Sequence, residues 1–288
     1  MLRYMYKGIL GVLPARLRVA LLYFRIFKKL PNLDNPKTIN EKILRRIFFE
    51  KDPNFTFYAD KFAVRAYIAE NIGEQYLVPL VAVYETPEDI LTLTEWKNTV
   101  IKPNHGAGMV KIIDNEPSED EKQKIIALSK KWLSTDFSKV CDEWHYGLIP
   151  PKLLVERKIT QQNESLRDYK FHRFMQKNGN FKQVLQVVAE RSEQGYETVF
   201  FDVDKLDAIL HSPFGYELTL SQLEKHSIRQ ILALNEHLCP DYSYVRLDWY
   251  ITQKKVYFGE ITFTPGAGRS QSFAGQFGIE MGKLWEVQ

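Results

Sequence analysis

The spacing of apolar positions changes near residue 99 and divides the chain into two kinds of structure. Before that point the pattern is helical. Residues 15–30 read as an amphipathic helix with Pro14 placed at its first turn. At about 100° per residue, Arg18, Arg25, Lys28 and Lys29 share one face, while Leu17, Val19, Phe24, Ile26, Phe27 and Leu30 spread over the other. Further helices are expected over 39–49, closed by Pro53, and over 59–71, ended by Gly73 as a C-cap. The β-branched run 76–84 reads as a strand, with Pro79 marking an edge or its entry.

From residue 99 onward short strands alternate with polar or glycine-containing turns. Strands are predicted over 100–102 and 109–113, joined by the loop 103–108, and over 152–159. Ser118 with Glu121 forms a capping box for a helix to about residue 133. Residues 169–175 and 181–189 pair through the turn 177–180, and 244–251 and 256–263 through the short link 252–255. A helix over 221–238 precedes that last hairpin, and 272–285 is read as helical. Helices first, then mixed strands and helices, predict an α+β fold with at least two lobes.

Charge sharpens this division. The chain totals only +3, yet residues 1–37 hold eight Lys or Arg and a single acid, so the rest is net acidic. A body of that kind is not built to grip nucleic acid. A basic amphipathic helix suits an anionic membrane surface, or it packs its apolar face on the protein body; both readings stay open for residues 15–30. No run approaches the roughly 18 apolar residues that cross a bilayer. Arg16, Arg18 and Arg25 interrupt the N-terminal apolar runs and argue against a secretory signal. Cys141 and Cys239 stand alone, which fits a reducing cytoplasm, and the six histidines form no ligand pair.

Chemistry concentrates in the final hairpin. Arg246 and Asp248 lie two apart on one strand, and Glu260 and Thr262 two apart on the next, so each pair shares a face. If those faces align, two carboxylates converge, an arrangement that needs a cation and offers Mg²⁺ oxygen ligands. The plain alternative is an Arg–Asp salt bridge on a solvated sheet. Upstream, the loop from Lys102 through Asn104, His105, Gly106 and Gly108 lets backbone N–H groups approach phosphate, with Lys102 adding charge at its base. Alone it reads better as a plain β-turn. Glu156 ends an apolar strand, and Asp168 and Lys170 share a face, as a charge clamp or an intrastrand ion pair.

Taken in order, Asp60-Lys61, Lys102 to Gly106, Asp168-Tyr169-Lys170, Val245 to Asp248 and Tyr257 to Pro265 resemble the TupA-like branch of the ATP-grasp superfamily, over about residues 37–282. The branch is named for a protein of teichuronopeptide biosynthesis. D-alanine–D-alanine ligases carry a similar Arg-x-Asp strand and then Glu-x-Asn-x-x-Pro-Gly, where this chain has Thr262 in place of the asparagine. The resemblance implies two α+β lobes clamping ATP: a basic helical segment at 1–36, a pre-grasp-like region at 37–98, a small lobe at 99–155 and a large lobe at 156–288. It implies that Lys102, Lys170 and the loop with Asn104, His105, Gly106 and Gly108 hold the phosphates. Glu156, Arg157 and Ile159 would meet adenine, and Asp168 the ribose. Asp248, Glu260 and Thr262 would bind Mg²⁺, Thr262 less strongly than an amide oxygen. Arg246 would stabilise developing charge, and Arg269 and Ser270 would contact substrate.

The implied activity is ATP-dependent joining of an amine or amino acid to a carboxylate through an acyl phosphate. The branch points to a uronic-acid carboxylate of a capsule or O-antigen precursor. The expected place is the cytoplasm, peripheral on the inner face of the membrane. A glycosyltransferase, a sugar phosphotransferase and a non-catalytic scaffold are the competing expectations.

Overall fold

The computed structural model describes residues 13–160, 166–192 and 195–286. Among these the chain opens with α1 (Ala15–Phe27), α2 (Ile39–Phe49), α3 (Asn54–Ala59) and α4 (Val64–Asn71). A reciprocal Thr38–Glu41 capping box starts α2. Pro53 does not close that helix: Glu50 ends it, and Pro53 caps α3 instead. The single helix expected over 59–71 is also interrupted. Asp60 accepts from the backbone N–H groups of Phe62 and Ala63 at 2.8 and 3.2 Å, a local turn that competes with helix.

A four-stranded antiparallel sheet follows, built from β1 (Leu80–Tyr84), β2 (Thr99–Pro103), β3 (Lys111–Ile113) and β4 (Leu153–Arg157) in the order β1-β4-β2-β3. Helix α5 (Glu119–Leu133) starts at the Ser118–Glu121 capping box and packs Ile125, Ile126 and Trp132 against Ile101, Leu153 and Val155. A short helix, α6 (Phe137–Cys141), follows it. Because β1 pairs with β4, and β4 runs to Arg157, the small lobe crosses both boundaries expected at 99 and 156.

The second sheet holds β5 (Asp168–Met175), β6 (Phe181–Ser192), β7 (Gly195–Asp202), β8 (Ile209–His211), β9 (Tyr244–Ile251) and β10 (Val256–Thr262), ordered β10-β9-β5-β6-β7-β8. Both predicted hairpins form. One face buries Phe171, Leu185, Leu247 and Trp249 with Ile228 and Ile231 of α7 (Gln222–Asn235). On the other face Phe174, Val184, Phe200 and Tyr244 pack with Val19, Tyr23 and Ile43 of the N-terminal helices and with Phe277 and Met281 of α8 (Gly275–Leu284). Lys170 and Phe174 lie on that same face by strand alternation. The helices therefore cover one end of it and leave the end carrying Asp168 and Lys170 open toward the small lobe.

Helix α1 docks on the protein through Val19 and Tyr23, both about 1% exposed. Arg18, expected on a solvated face, instead pairs with Asp142. The predicted division of apolar and basic faces fails for a second reason. Leu17, Leu21 and Phe24 remain 48%, 39% and 49% exposed, on an arc that also carries Arg25. The helix is apolar on two sides.

Arg46 fastens α2 to the helix-covered end of the sheet. It is buried, donates to the carbonyls of Tyr244 at 2.7 Å and Phe263 at 3.3 Å, pairs with Glu50 and stacks on Trp285. It thus clamps the start of β9 to the chain that leaves β10. Arg46→Ala should lower unfolding stability by about 3 kcal/mol, since it leaves buried carbonyls without donors. Urea denaturation measures this; a change within about 0.5 kcal/mol would show that the clamp contributes nothing.

Candidate active site

The strands β5, β9 and β10 bring the charged residues together by register. Lys170 pairs with Asp248, and Asp248 with Glu260, while Arg246 lies opposite Thr262. Simple alternation along β10 would not achieve this. Val256 and Phe258 point into the core, which would send Glu260 and Thr262 inward as well. A β-bulge at Gly259 adds one residue between the pairs Phe258–Trp249 and Glu260–Asp248 and reverses the facing. A Cβ on Gly259 would meet the Asp248 carbonyl oxygen at 3.0 Å, so the close approach favours glycine.

The resulting cluster is tightly paired. Arg246 reaches both Asp248 oxygens at 2.6 and 2.8 Å, Glu260 at 2.9 Å and the Thr262 hydroxyl at 3.2 Å. Lys170 Nζ lies 2.5 Å from Asp248, and Lys61 Nζ 3.6 Å from Glu260. Burial alone would raise the Glu260 carboxyl, but the charges of Lys61, Arg246 and Lys170 outweigh it and hold it well below the usual range. Burial likewise disfavours the Arg246 cation, and the two carboxylates more than restore it. Beneath Lys170, His172 is sandwiched between the Tyr244 hydroxyl and Gln186.

Lys61 was not among the residues expected to act. Its signal is its place in the Asp60-Lys61 piece of the family resemblance. Lys61 Nζ donates to the Gly106 carbonyl at 2.6 Å as well as facing Glu260, so it joins the glycine loop to the large sheet. Burial lowers its pKa, and Lys102 acts in the same sense against Glu260.

Asn104 and His105 do not line the cleft. Asn104 is an anchor: its amide donates to Asp60 and to the Pro150 carbonyl, and its oxygen accepts from the Lys152 N–H at 2.7 Å. The buried His105 ring faces the Thr135 carbonyl. These two side chains hold the base of the loop, while Gly106 and Gly108, both at positive φ, reach the cleft.

Two adjoining cavities meet at Lys61, Lys102 and Asp168. The larger, about 830 Å³, is walled by Val64, Leu77, Val100, Ile112, Ile159 and Phe258, with Glu156 and Arg157 also at its surface. Glu156 is paired there with Lys102 at 2.7 Å and Arg65 at 3.4 Å. Arg157 extends to Glu95. The smaller, about 530 Å³, takes in Lys170, Arg246, Asp248, Glu260, Arg269 and Ser270. Arg269 donates to the Cys141 carbonyl at 3.0 Å and lies 3.4 Å from Asp142, the residue that also holds Arg18 of α1. The turn before it carries Gly266, Ala267 and Gly268 in succession at positive φ. Ala267 takes on a strain that glycine avoids.

Asp248, Glu260 and Thr262 present oxygen donors of the type Mg²⁺ accepts. Among the described residues no group of three His, Cys, Asp or Glu forms a cage. Both carboxylates already face Lys61, Lys170 and Arg246, three cations against two anions. That donor set fits an ion that arrives with phosphate and completes its shell from it.

A glycine loop hung from a small antiparallel sheet, closing over an acid-bearing hairpin of a larger one, defines the ATP-grasp class of fold. The chain belongs to the TupA-like ATP-grasp family, whose profile matches residues 41–286. Among solved structures it is similar to the D-alanine–D-alanine ligase from Helicobacter pylori at 14% identity and a TM-score of 0.49, over 80% of this chain and 62% of that one. It is also similar to a biotin carboxylase from Campylobacter jejuni, at 10% identity and a TM-score of 0.48, over 81% and 47%. A third is the biotin carboxylase domain of a Hydrogenobacter thermophilus 2-oxoglutarate carboxylase, in complex with MgADP, at 11% identity and a TM-score of 0.45, over 81% and 47%. The chain thus spans less than two thirds of the length of each. No curated protein matches it in sequence.

His172 supplies a pH test of the polar layer under the cluster. Burial first, then Arg246, holds its pKa at about 3, so it stays neutral in the fold. The unfolded chain takes up a proton at this site below about pH 6.5 and the native state does not, so stability is present above that pH and drains as pH falls. His172→Gln should remove about 2 kcal/mol of the stability lost between pH 6.5 and 5. Urea midpoints across that range measure it; parallel curves for both proteins would refute the assignment.

Proposed function

We propose that the chain is an ATP-dependent carboxylate–amine ligase that joins an amino acid or other amine to a uronic-acid carboxylate of a cell-surface polysaccharide precursor. One observation carries the catalytic part. Lys61, Lys170, Arg246, Asp248 and Glu260 converge where the larger cavity, a slot with aliphatic walls, meets the smaller one, under a glycine loop. The slot suits a flat adenine ring, with Ile159 and Ile112 on its walls and Asp168 at its inner end, toward the ribose. Family membership supports the ligase chemistry, and Arg246 and Arg269 in the wall of the smaller cavity suit a sugar acid.

In this reading Lys61, Lys102 and Lys170 bind the phosphates, helped by backbone N–H groups of Gly106 and Gly108. Asp248 and Glu260, with Thr262 beside them, would hold Mg²⁺, which shields phosphate charge and orients the γ-phosphate. A carboxylate oxygen of the sugar attacks the γ-phosphorus and ADP departs. Arg246 neutralises charge on the acyl phosphate and on the tetrahedral intermediate. The amine then displaces phosphate. Arg269 and Ser270 line the cavity where that partner enters.

The exposed arc of α1 favours a peripheral position on the inner face of the cytoplasmic membrane. Leu17, Leu21 and Phe24 would enter the interface of an anionic leaflet, flanked by Arg25 and Lys28. A lipid-linked acceptor would then reach the smaller cavity from the surface that carries it.

Incubation of the protein with MgATP, oligogalacturonate and pooled amino acids tests the activity through phosphate release and product mass. ADP with an amide product is expected. ADP with a phosphorylated sugar would assign a phosphotransferase, turnover only with a nucleotide sugar a glycosyltransferase, and no Mg-dependent ATP binding a scaffold. Asp248→Asn and Glu260→Gln should each reduce turnover by at least ~100-fold in folded protein; near-normal turnover would remove them from the site.

Deleting residues 1–30 is a poor test of membrane docking, because it takes Val19 and Tyr23 out of the core. Leu21→Glu with Phe24→Glu should instead weaken binding to phosphatidylglycerol vesicles by ~10-fold or more, measured by cosedimentation. Unchanged binding would sink the docking.

A further inference from the structure

Glu143 lies in the wall of the smaller cavity, outside the ion pairs of the charged cluster. It is about 6% exposed, yet it lines the cavity together with Cys141, Tyr146 and Arg269. The Thr264 hydroxyl, just past β10, donates to its carboxylate. The phenol and thiol that share its segment, Tyr146 and Cys141, face it, as do Arg269 from the turn after β10 and Arg246 from β9, with Glu260 beyond Tyr146. Both arginines make their ion pairs elsewhere, Arg246 with Asp248 and Glu260, and Arg269 with Asp142.

A buried carboxylate without a dedicated cation is costly, so its presence in a cavity wall calls for a chemical reason. The ligase reading supplies a need. An amine reaches the site at neutral pH as an ammonium ion, whose nitrogen has no lone pair for attack. Some group must take its proton. The histidines near the cleft are unsuited. His172 is enclosed by Tyr244 and Gln186, and His105 is turned to Thr135. Cys141 is driven to the thiol form, by burial and by Glu143 itself.

Resting on the ligase reading, we propose that Glu143 is the proton acceptor for the ammonium group of the amine substrate and marks the subsite where that substrate binds. The aromatic walls Phe137, Tyr146 and Phe273 suit an ammonium ion as well. The ammonium gives one proton to the Glu143 carboxylate. The freed lone pair forms the N–C bond at the acyl carbon, and the C–O bond to phosphate breaks with its electrons leaving on phosphate. The second proton lost by nitrogen leaves with the phosphate, and Glu143 returns its proton to water when the amide departs. Burial is the main influence on the carboxyl and raises it to about 7, against the lowering effects of Cys141, Thr264 and the two arginines. The group is therefore an acid below that pH and a competent acceptor above it, so the amine-dependent rate should rise with pH to a plateau above about 7.

Hydroxylamine separates the steps, because it is already neutral at pH 7 and traps the acyl phosphate as a hydroxamate without a base. With oligogalacturonate, MgATP and pooled amino acids, Glu143→Gln should lower amide formation by ~100-fold and flatten its pH profile. Hydroxamate formation in the same variant should stay within about threefold of wild type. Equal losses with both nucleophiles, or no loss with the amino acids, would overturn the assignment. Circular dichroism melting confirms that the variant is folded. Absence of hydroxamate with the wild-type protein would remove the ligase reading, and this proposal with it, whereas wild-type hydroxamate with an unaffected variant would remove this proposal alone.

Discussion

A buried acid and a half-buried one, opposite each other on neighbouring strands, set the terms for the rest of the molecule. Asp248 and Glu260 repel at that separation, and burial magnifies the repulsion. Lys170, Arg246 and Lys61 offset it, each from a different element: β5, β9 and the break between α3 and α4. The strands must therefore hold one register, and the helices must deliver Lys61 to one point. Arg46, from α2, secures the strand ends on which that register depends.

Lys61 also explains how the lobes are held. Its backbone N–H bonds to the Asn104 carbonyl, and its ammonium spans Gly106 and Glu260. Asp60 next to it grips Asn104. Two consecutive residues thus anchor the loop and charge the cleft. The loop is fixed at its base by the buried side chains of Asn104 and His105, and at Gly106 by the Lys61 ammonium.

The helices and hairpins were legible because local signals agreed: the capping box at Ser118, same-face spacing along β9, and the short links at 177–180 and 252–255. The charged hairpin was legible because acids in an apolar strand stand out. The break at Asp60 was hidden, since helical periodicity continues on both sides and only a side-chain hydrogen bond decides against it. Strands β7 and β8 escaped because Val199, Phe200 and Phe201 are consecutive and buried on both faces, leaving no period of two. The two-sided character of α1 was missed because a helical wheel cannot tell which apolar arc finds a partner. Glu143 gave no signal at all, because burial at a cavity wall is a tertiary fact.

The bulge at Gly259 has a consequence for how β10 can change. Every residue beyond it owes its facing to that one extra unit. Deleting Gly259 alone would set Glu260 directly after Phe258, pair the two strands without a bulge and keep Glu260 and Thr262 on the cleft side. Deleting Ile261 instead would turn Thr262 into the oily layer and bring Phe263 out to the cleft. The bulge is thus the place where this ribbon can lose a residue without inverting its chemistry.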